Sequence, residues 1–352
     1  MAPHENHTVG IICANGFEMS AVQYMLDNKH TRLFGKDGSD PNIYISGELS
    51  GHNVILACLA GVQGKGAAAT VATNMARSFP SIKWRFLVGI GGGVPSSRHD
   101  IRLGDVVVSM PEGQYGGVVQ YDLIKDEDDG FRLKGFLCAP PTLLRNAVEI
   151  MRSDHFEQEN KIGEYLSIML KKGPRFSIYA RPAAHTDILF DEEYAHASGC
   201  STCGGCDKTK VVSRPPREGP EIHYGLIASG DSVMKSATKR NEKVHNLGDV
   251  LCFDMEAAGL MTEYSCIVIR GVSDYADSHK NDDWQHYAAA AAAACAKELL
   301  SYVDPETSSS KTVGSSRTES TAHNQRGVRM ILHGQGIQST GSFSVGRDLI
   351  ME

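Results

Sequence analysis

Three carboxylates stand where short apolar runs end, and that placement is the chain's strongest chemical signal. Glu18 follows the run "VGIICA", Glu256 lies in "CFDMEAAGL", and Asp274 closes "CIVIRGVSD". An unpaired buried carboxylate is costly, so a Glu between Met255 and two alanines must find a structural hydrogen bond or a ligand's hydroxyls. Each acid alone could be a helix cap or a surface group. Three at three strand ends form a constellation of the kind that acid–base and charge-stabilising chemistry needs. Arg270 stands four residues before Asp274, at the same edge. Open α/β sheets bind ligands at the carboxyl ends of their strands, which favours a functional reading there.

Two glycine-rich loops invite weaker readings. "VGIGGGV" carries Gly89, Gly91, Gly92 and Gly93. It lacks the G-x-G-x-x-G spacing before a helix, so a structural turn and backbone amides facing a small ligand both stay open. "GVQGKGAAA" resembles a phosphate loop, but Gly66 follows Lys65 where Ser or Thr is required. A solvated lysine at a helix start is the competing reading of Lys65. "HASGCSTCGGC" places His196, Cys200, Cys203 and Cys206 in one compact loop. Four such N and S ligands could hold a structural zinc tetrahedrally, although usual sites use two separated pairs. Reduced thiols or a redox pair are the alternative. "KDEDDG" at 125–130 reads as a solvated loop.

The elements that must position these residues alternate between strand and helix over residues 8–303, which predicts a three-layer α/β domain. "HTVGIICA", "WRFLVGIGGGV", "LGDVVVSM", "EIHYGLIASG" and residues 266–272 read as strands; "PNIYISGELSGHNVILACLAG" reads as two strands joined by a Ser-Gly turn. A long alanine-rich helix, "WQHYAAAAAAACAKELLSYV", closes the domain. Residues from about 152 to 220 are polar and read as an irregular, Cys-containing insertion, so catalysis should not depend directly on the cysteine loop. The Ser/Thr- and Gly-rich stretch 304–352 reads as a tail or linker.

Composition narrows the function classes. The net charge is -7, from 35 Lys+Arg against 42 Asp+Glu, so no nucleic-acid footprint is expected. No run reaches the roughly 18 apolar residues of a membrane span, and the first residues do not read as a secretory signal. Nine cysteines, odd in number and mostly in apolar runs, point to a reducing compartment, expected to be the cytoplasm.

The motifs "VGIICANGFEM", "VGIGGGVP…LGDVVVS", "SGD", "MEAAG" and "VIRGVSDYAD" together resemble the nucleoside phosphorylase and nucleosidase superfamily, the purine/uridine phosphorylase family 1. The chain is similar in particular to the phosphorylase-type domain of fungal NLR-like proteins. The resemblance implies a three-layer α/β/α phosphorylase/hydrolase-like fold with a mixed central sheet, and cleavage of the N-glycosidic bond of a purine nucleoside or nucleotide, with no cofactor for catalysis. It implies that Asp274 protonates or hydrogen-bonds N7 of the leaving base, and that Glu256 holds the ribose hydroxyls with Met255 on the sugar face. Gly91 and Gly92 would line the ribose side. Ser229, Gly230, Asp231 and Val233 would wall the base, with Ser273 and Arg270 beside the catalytic loop and Arg270 close enough to set the charge of Asp274. "CANGFEM" lacks the arginine with which phosphorylases receive phosphate and puts Glu18 where nucleosidases activate water, which tilts the expectation toward hydrolysis. Phosphorolysis and a nucleotide-sensing or oligomerisation module are the alternatives. Lys65, Arg98 and Lys235, with His99 and Lys280, are the candidates for contacting a 5′-phosphate. Homo-oligomers are expected from the same resemblance.

Overall fold

A computed structural model describes residues 7–31, 35–127, 130–197, 202–280 and 282–305. Cys200 and the expected tail from residue 306 onward lie outside the described residues. The elements run β1 (Val9–Cys13), α1 (Gly16–Met25), β2 (Asn28–Lys29), β3 (Tyr44–Leu49), β4 (His52–Cys58), α2 (Lys65–Ser78), β5 (Trp84–Gly93), β6 (Val106–Ser109) and β7 (Val118–Gln120). Then follow β8 (Ile124–Glu127), β9 (Gly130–Leu133), α3 (Thr142–Asp154), α4 (Ile162–Leu170), β10 (Ile222–Ser229), α5 (Ala237–Leu247), β11 (Val250–Asp254), α6 (Ala257–Met261), β12 (Ile267–Asp274) and α7 (Gln285–Ser301).

Strands covered on both faces read as near-continuous apolar runs, which β1 does throughout and β12 does up to Arg270. Every residue of β1 and β12 is buried. The ten-stranded sheet is ordered β11-β10-β6-β12-β5-β1-β4-β3-β2, with β7 beside β10. Parallel pairing joins β4, β1, β5 and β12, whereas β12–β6 and β3–β4 are antiparallel. The expected mixed central sheet with flanking helices is therefore present. An antiparallel pairing of β11 with β5, Phe253 opposite Gly92, closes five strands into a ring and brings their ends together.

Helix α7 shows how small residues set this geometry. Ala288 to Ala294 are all buried, at most 1% exposed. A Cβ on Gly271 would lie 1.9 Å from the Ala288 carbonyl oxygen, so only glycine lets β12 run directly beneath the helix. Helices α1, α3 and α4 pack around α7, and α2 packs with α6.

Two stretches differ from their reading in the sequence. Residues 162–170, read as irregular, form α4, whose Ile162, Leu166 and Met169 are buried at i, i+4 and i+7. The polar flanks hide that short period. Of "KDEDDG", read as a solvated loop, Lys125, Asp126, Glu127 and Gly130 pair in the β8–β9 ladder, and residues 128–129 lie outside the described residues. Among the described residues, no helix is long and apolar enough to cross a membrane.

Candidate active site

At the carboxyl ends of β1, β5, β11 and β12 lies a cleft of about 240 Å³. Its walls include Glu18, Glu256 and Asp274, so the fold brings the three acids into one space.

Glu18 and Glu256 sit at the floor. Glu18 is the third residue of α1 and is 1% exposed. Its Oε2 accepts from the backbone N–H groups of Ala14 and Asn15, both at 2.8 Å, and its Oε1 accepts from Ile90 N at 2.8 Å. A Cβ on Gly89 would come within 2.5 Å of both Glu18 Oε1 and Arg270 Nη1, so the glycine makes room for that pair. Burial raises the Glu18 pKa, and neither Arg270 nor the three N–H donors fully offset it. Glu256 accepts from Arg270 Nη2 at 3.0 Å and from Gly64 N at 3.3 Å. Burial, with Asp254 and Glu18 nearby, pushes its pKa up as well, against the pull of Arg270.

Arg270 is fully buried beneath these acids. Its Nε and Nη2 both donate to Asp254 Oδ2, and its pKa is raised by Asp254, Glu256 and Glu18 against a large burial penalty. The expectation that Arg270 sets the charge of Asp274 is corrected here: its hydrogen bonds go to Asp254 and Glu256, and a lysine holds Asp274 instead. Asp254 carries no motif of its own and was missed; its place at the last residue of β11, opposite the buried arginine, identifies it only in three dimensions.

Asp274 stands where β12 gives way to its loop, the rim of the cleft, and at 4% exposed it is as buried as Glu256. The β12–β5 register shifts between Val272 and Asp274, which sets Asp274 opposite Gly92. Its Oδ1 accepts from Ala276 N at 2.9 Å; its Oδ2 accepts from Ser273 Oγ at 2.9 Å and from Lys280 Nζ at 2.5 Å. Lys280, expected as a phosphate contact, is thus the partner of Asp274. Phe17, Ile90, Val233, Phe253 and Met255 give the cleft apolar walls suited to a planar base and a sugar face.

The remaining candidates divide. Gly91, Gly92, Met255, Val233 and Ser273 line the cleft. Ser229, Gly230 and Asp231 do not, and Ser232, Val233 and Met234 wall it in their stead. Ser229 is structural, its Oγ accepting from Ala258 N at 2.9 Å. Lys65 Nζ is held by Asp122 at 2.6 Å and Asp231 at 3.4 Å, outside the lining. Arg98 and His99 face Asp249, also outside it, and Lys235 is exposed and does not line it. Of the proposed sulfur cluster, His196, Cys203 and Cys206 come together, joined by His279.

Comparison with known proteins agrees with this fold. A curated nucleotide-binding leucine-rich repeat (NLR)-like protein of Hyaloscypha variabilis (strain UAMH 11265 / GT02V1 / F) is 43% identical over 312 residues, 87% of this chain; the chain spans 30% of that relative's length. Among solved structures, a 5′-methylthioadenosine/S-adenosylhomocysteine nucleosidase from Neisseria meningitidis, in complex with methylthio-immucillin-A, has a similar fold, with TM-score 0.54 and 20% identity over 84% of this chain and 99% of that one. Futalosine hydrolase of Helicobacter pylori strain 26695 follows at TM-score 0.52 and 17% identity, covering 84% of this chain and 98% of that one. The phosphorylase superfamily matches residues 8–303, and the chain belongs to it.

Proposed function

We propose that the protein cleaves the N-glycosidic bond of a purine nucleoside or nucleotide with water, releasing the free base and the sugar. The observation that carries this reading is a cleft with Glu18 and Glu256 at its floor, Asp274 at its rim, and no unpaired cation on its walls among the described residues. Lys280 is the one cationic side chain lining it, and Asp274 holds it. A floor of carboxylates repels inorganic phosphate, so the geometry favours water as the nucleophile.

Each group then has a task set by its surroundings. Breaking the bond leaves negative charge on the purine, and Asp274, which takes up a proton from solvent before the step, delivers it at N7 and is left as the carboxylate held by the Ser273 hydroxyl and the Lys280 ammonium. The sugar becomes positively charged, and the two floor carboxylates stabilise that charge in a largely water-excluded space. Glu256 also accepts from the ribose hydroxyls, while Glu18 takes the proton of the attacking water. Because Lys65, Arg98 and Lys280 already have acidic partners, the cleft favours a 5′ group without phosphates. The purine reading draws support from the Neisseria enzyme solved with methylthio-immucillin-A and from the Streptococcus pneumoniae enzyme solved with 8-aminoadenine.

The test is chromatography of protein incubated with adenosine, inosine, AMP and ATP, each with and without phosphate. Equal base release without phosphate supports the reading, and the best substrate names the 5′ group. Release only with phosphate overturns hydrolysis. No release from folded protein moves a nucleotide-sensing module, as part of a longer NLR-like chain, to the front.

A further inference from the structure

We propose that His196, Cys203, Cys206 and His279 form a tetrahedral zinc site that fastens the insertion to the loop following Asp274. The set differs from that expected in the sequence: His279 comes from the far side of the chain, next to Lys280, and Cys200 lies outside the described residues.

Three observations support it. The four ligand atoms all lie within 4.8 Å of one another. His279 Nδ1 is 3.6 Å from Cys203 Sγ and 3.8 Å from Cys206 Sγ. With Zn–S about 2.3 Å and Zn–N about 2.0–2.1 Å at tetrahedral angles, an S···N separation of about 3.6 Å follows. The tautomer also fits. His279 Nε2 lies 3.0 Å from the Tyr194 carbonyl oxygen, which can only accept, so Nε2 carries the hydrogen and Nδ1 turns a lone pair toward both sulfurs. A carbonyl partner on the outer nitrogen is the usual way a metal-ligating histidine is oriented.

Two thiols face one lone pair, and only one can donate to it. As thiols, Cys203 would turn to the His279 carbonyl oxygen at 3.8 Å and leave Nδ1 to Cys206, whereas a metal engages both sulfurs as thiolates together with Nδ1. The His279 ring is also fixed in place, stacked at 4.0 Å on Phe190 and at 5.5 Å on Tyr194.

The site's position gives it a role. The insertion grips the loop at three further points: Asp187 and Arg214 hold the Tyr275 hydroxyl, and the backbone N–H of His196 donates to Ser278 Oγ at 2.9 Å. The metal would complete this clamp one residue from Lys280 and so position the lysine on Asp274. It takes no part in bond cleavage.

The experiment is elemental analysis of the full chain purified without chelator, followed by cobalt exchange. About one zinc per chain is expected, and the cobalt form should show tetrahedral d–d bands with thiolate-to-cobalt charge transfer. Cys203→Ser, Cys206→Ser and His279→Ala should each lose the metal, while Cys58→Ser and Cys200→Ser keep it. Amide exchange in residues 275–280 should quicken when the metal is removed from the wild type. Reduced wild-type protein that neither contains zinc nor takes up added zinc or cobalt overturns the proposal, whatever the variants do. So does a Cys203–Cys206 disulfide in protein isolated under reducing conditions, or zinc retained by His279→Ala but lost by Cys200→Ser. None of these outcomes depends on turnover.

Discussion

The floor and the rim of the cleft hold their carboxylates by different means. At the floor, Glu18 is fixed by three backbone N–H groups and Glu256 by a buried arginine, all on strands or at their ends. At the rim, Asp274 leans on Ser273 and on Lys280, which arrives from a loop gripped by the insertion. In the proposed reaction, charge stabilisation would thus rest on the sheet, whereas proton delivery would depend on a loop. Substitutions at the rim should cost turnover alone, and substitutions at the floor should cost stability as well as turnover.

Asp274→Asn should test the rim most severely. Losing a general acid lowers turnover by roughly 10²–10⁴-fold, with substrate affinity and unfolding midpoint little changed, because Lys280 is partly solvated and tolerates the loss of its partner. Equal losses of binding and turnover would give Asp274 a binding role instead. Arg270→Met is the corresponding break at the floor. It leaves Asp254 and Glu256 buried without their counter-ion, and removing one member of a buried pair costs about 3–5 kcal/mol. Denaturant unfolding measures it, and a cost near zero would mean the acids take up protons freely. Lys280→Gln removes one charge-assisted hydrogen bond from a partly exposed lysine. Turnover should fall about tenfold with stability within about 1 kcal/mol of wild type, as steady-state kinetics and unfolding together report.

The same division explains what could be read from the sequence. The three carboxylates were legible because they follow apolar runs: "VGIICA" announces Glu18, "DVLCFDMEAAG" announces Glu256, and "CIVIRGVS" announces Asp274. The partners were not. Asp254 and Arg270 meet across two strands sixteen residues apart, and nothing in either local pattern joins them. Lys280 lies only six residues from Asp274, yet its approach depends on the turn between them. His279 was passed over as a ligand because the cysteine motif lies more than seventy residues upstream. Local spacing exposes groups that share an element, while pairs made by tertiary packing leave no periodic trace.

The pH response of Glu18 is the finest test of the floor. Burial raises its pKa, while Arg270 and the three N–H donors lower it, and burial wins. In the proposed reaction Glu18 must be ionised to take water's proton, so kcat should rise with pH through a limb lying above the ordinary glutamate value of about 4.3. The stability contribution runs the other way. A group whose folded pKa exceeds its unfolded value binds more protons when folded, so it stabilises fully below about 4.3 and progressively less as pH rises through the folded value. The unfolding free energy of wild type relative to Glu18→Gln should therefore decrease between acidic and mildly alkaline pH, by at most about 1.4 kcal/mol per pH unit. Denaturant unfolding of both proteins across that range measures the slope. A difference that grows with pH would show that the three N–H groups and Arg270 outweigh burial, and that the floor holds Glu18 as a ready-made anion.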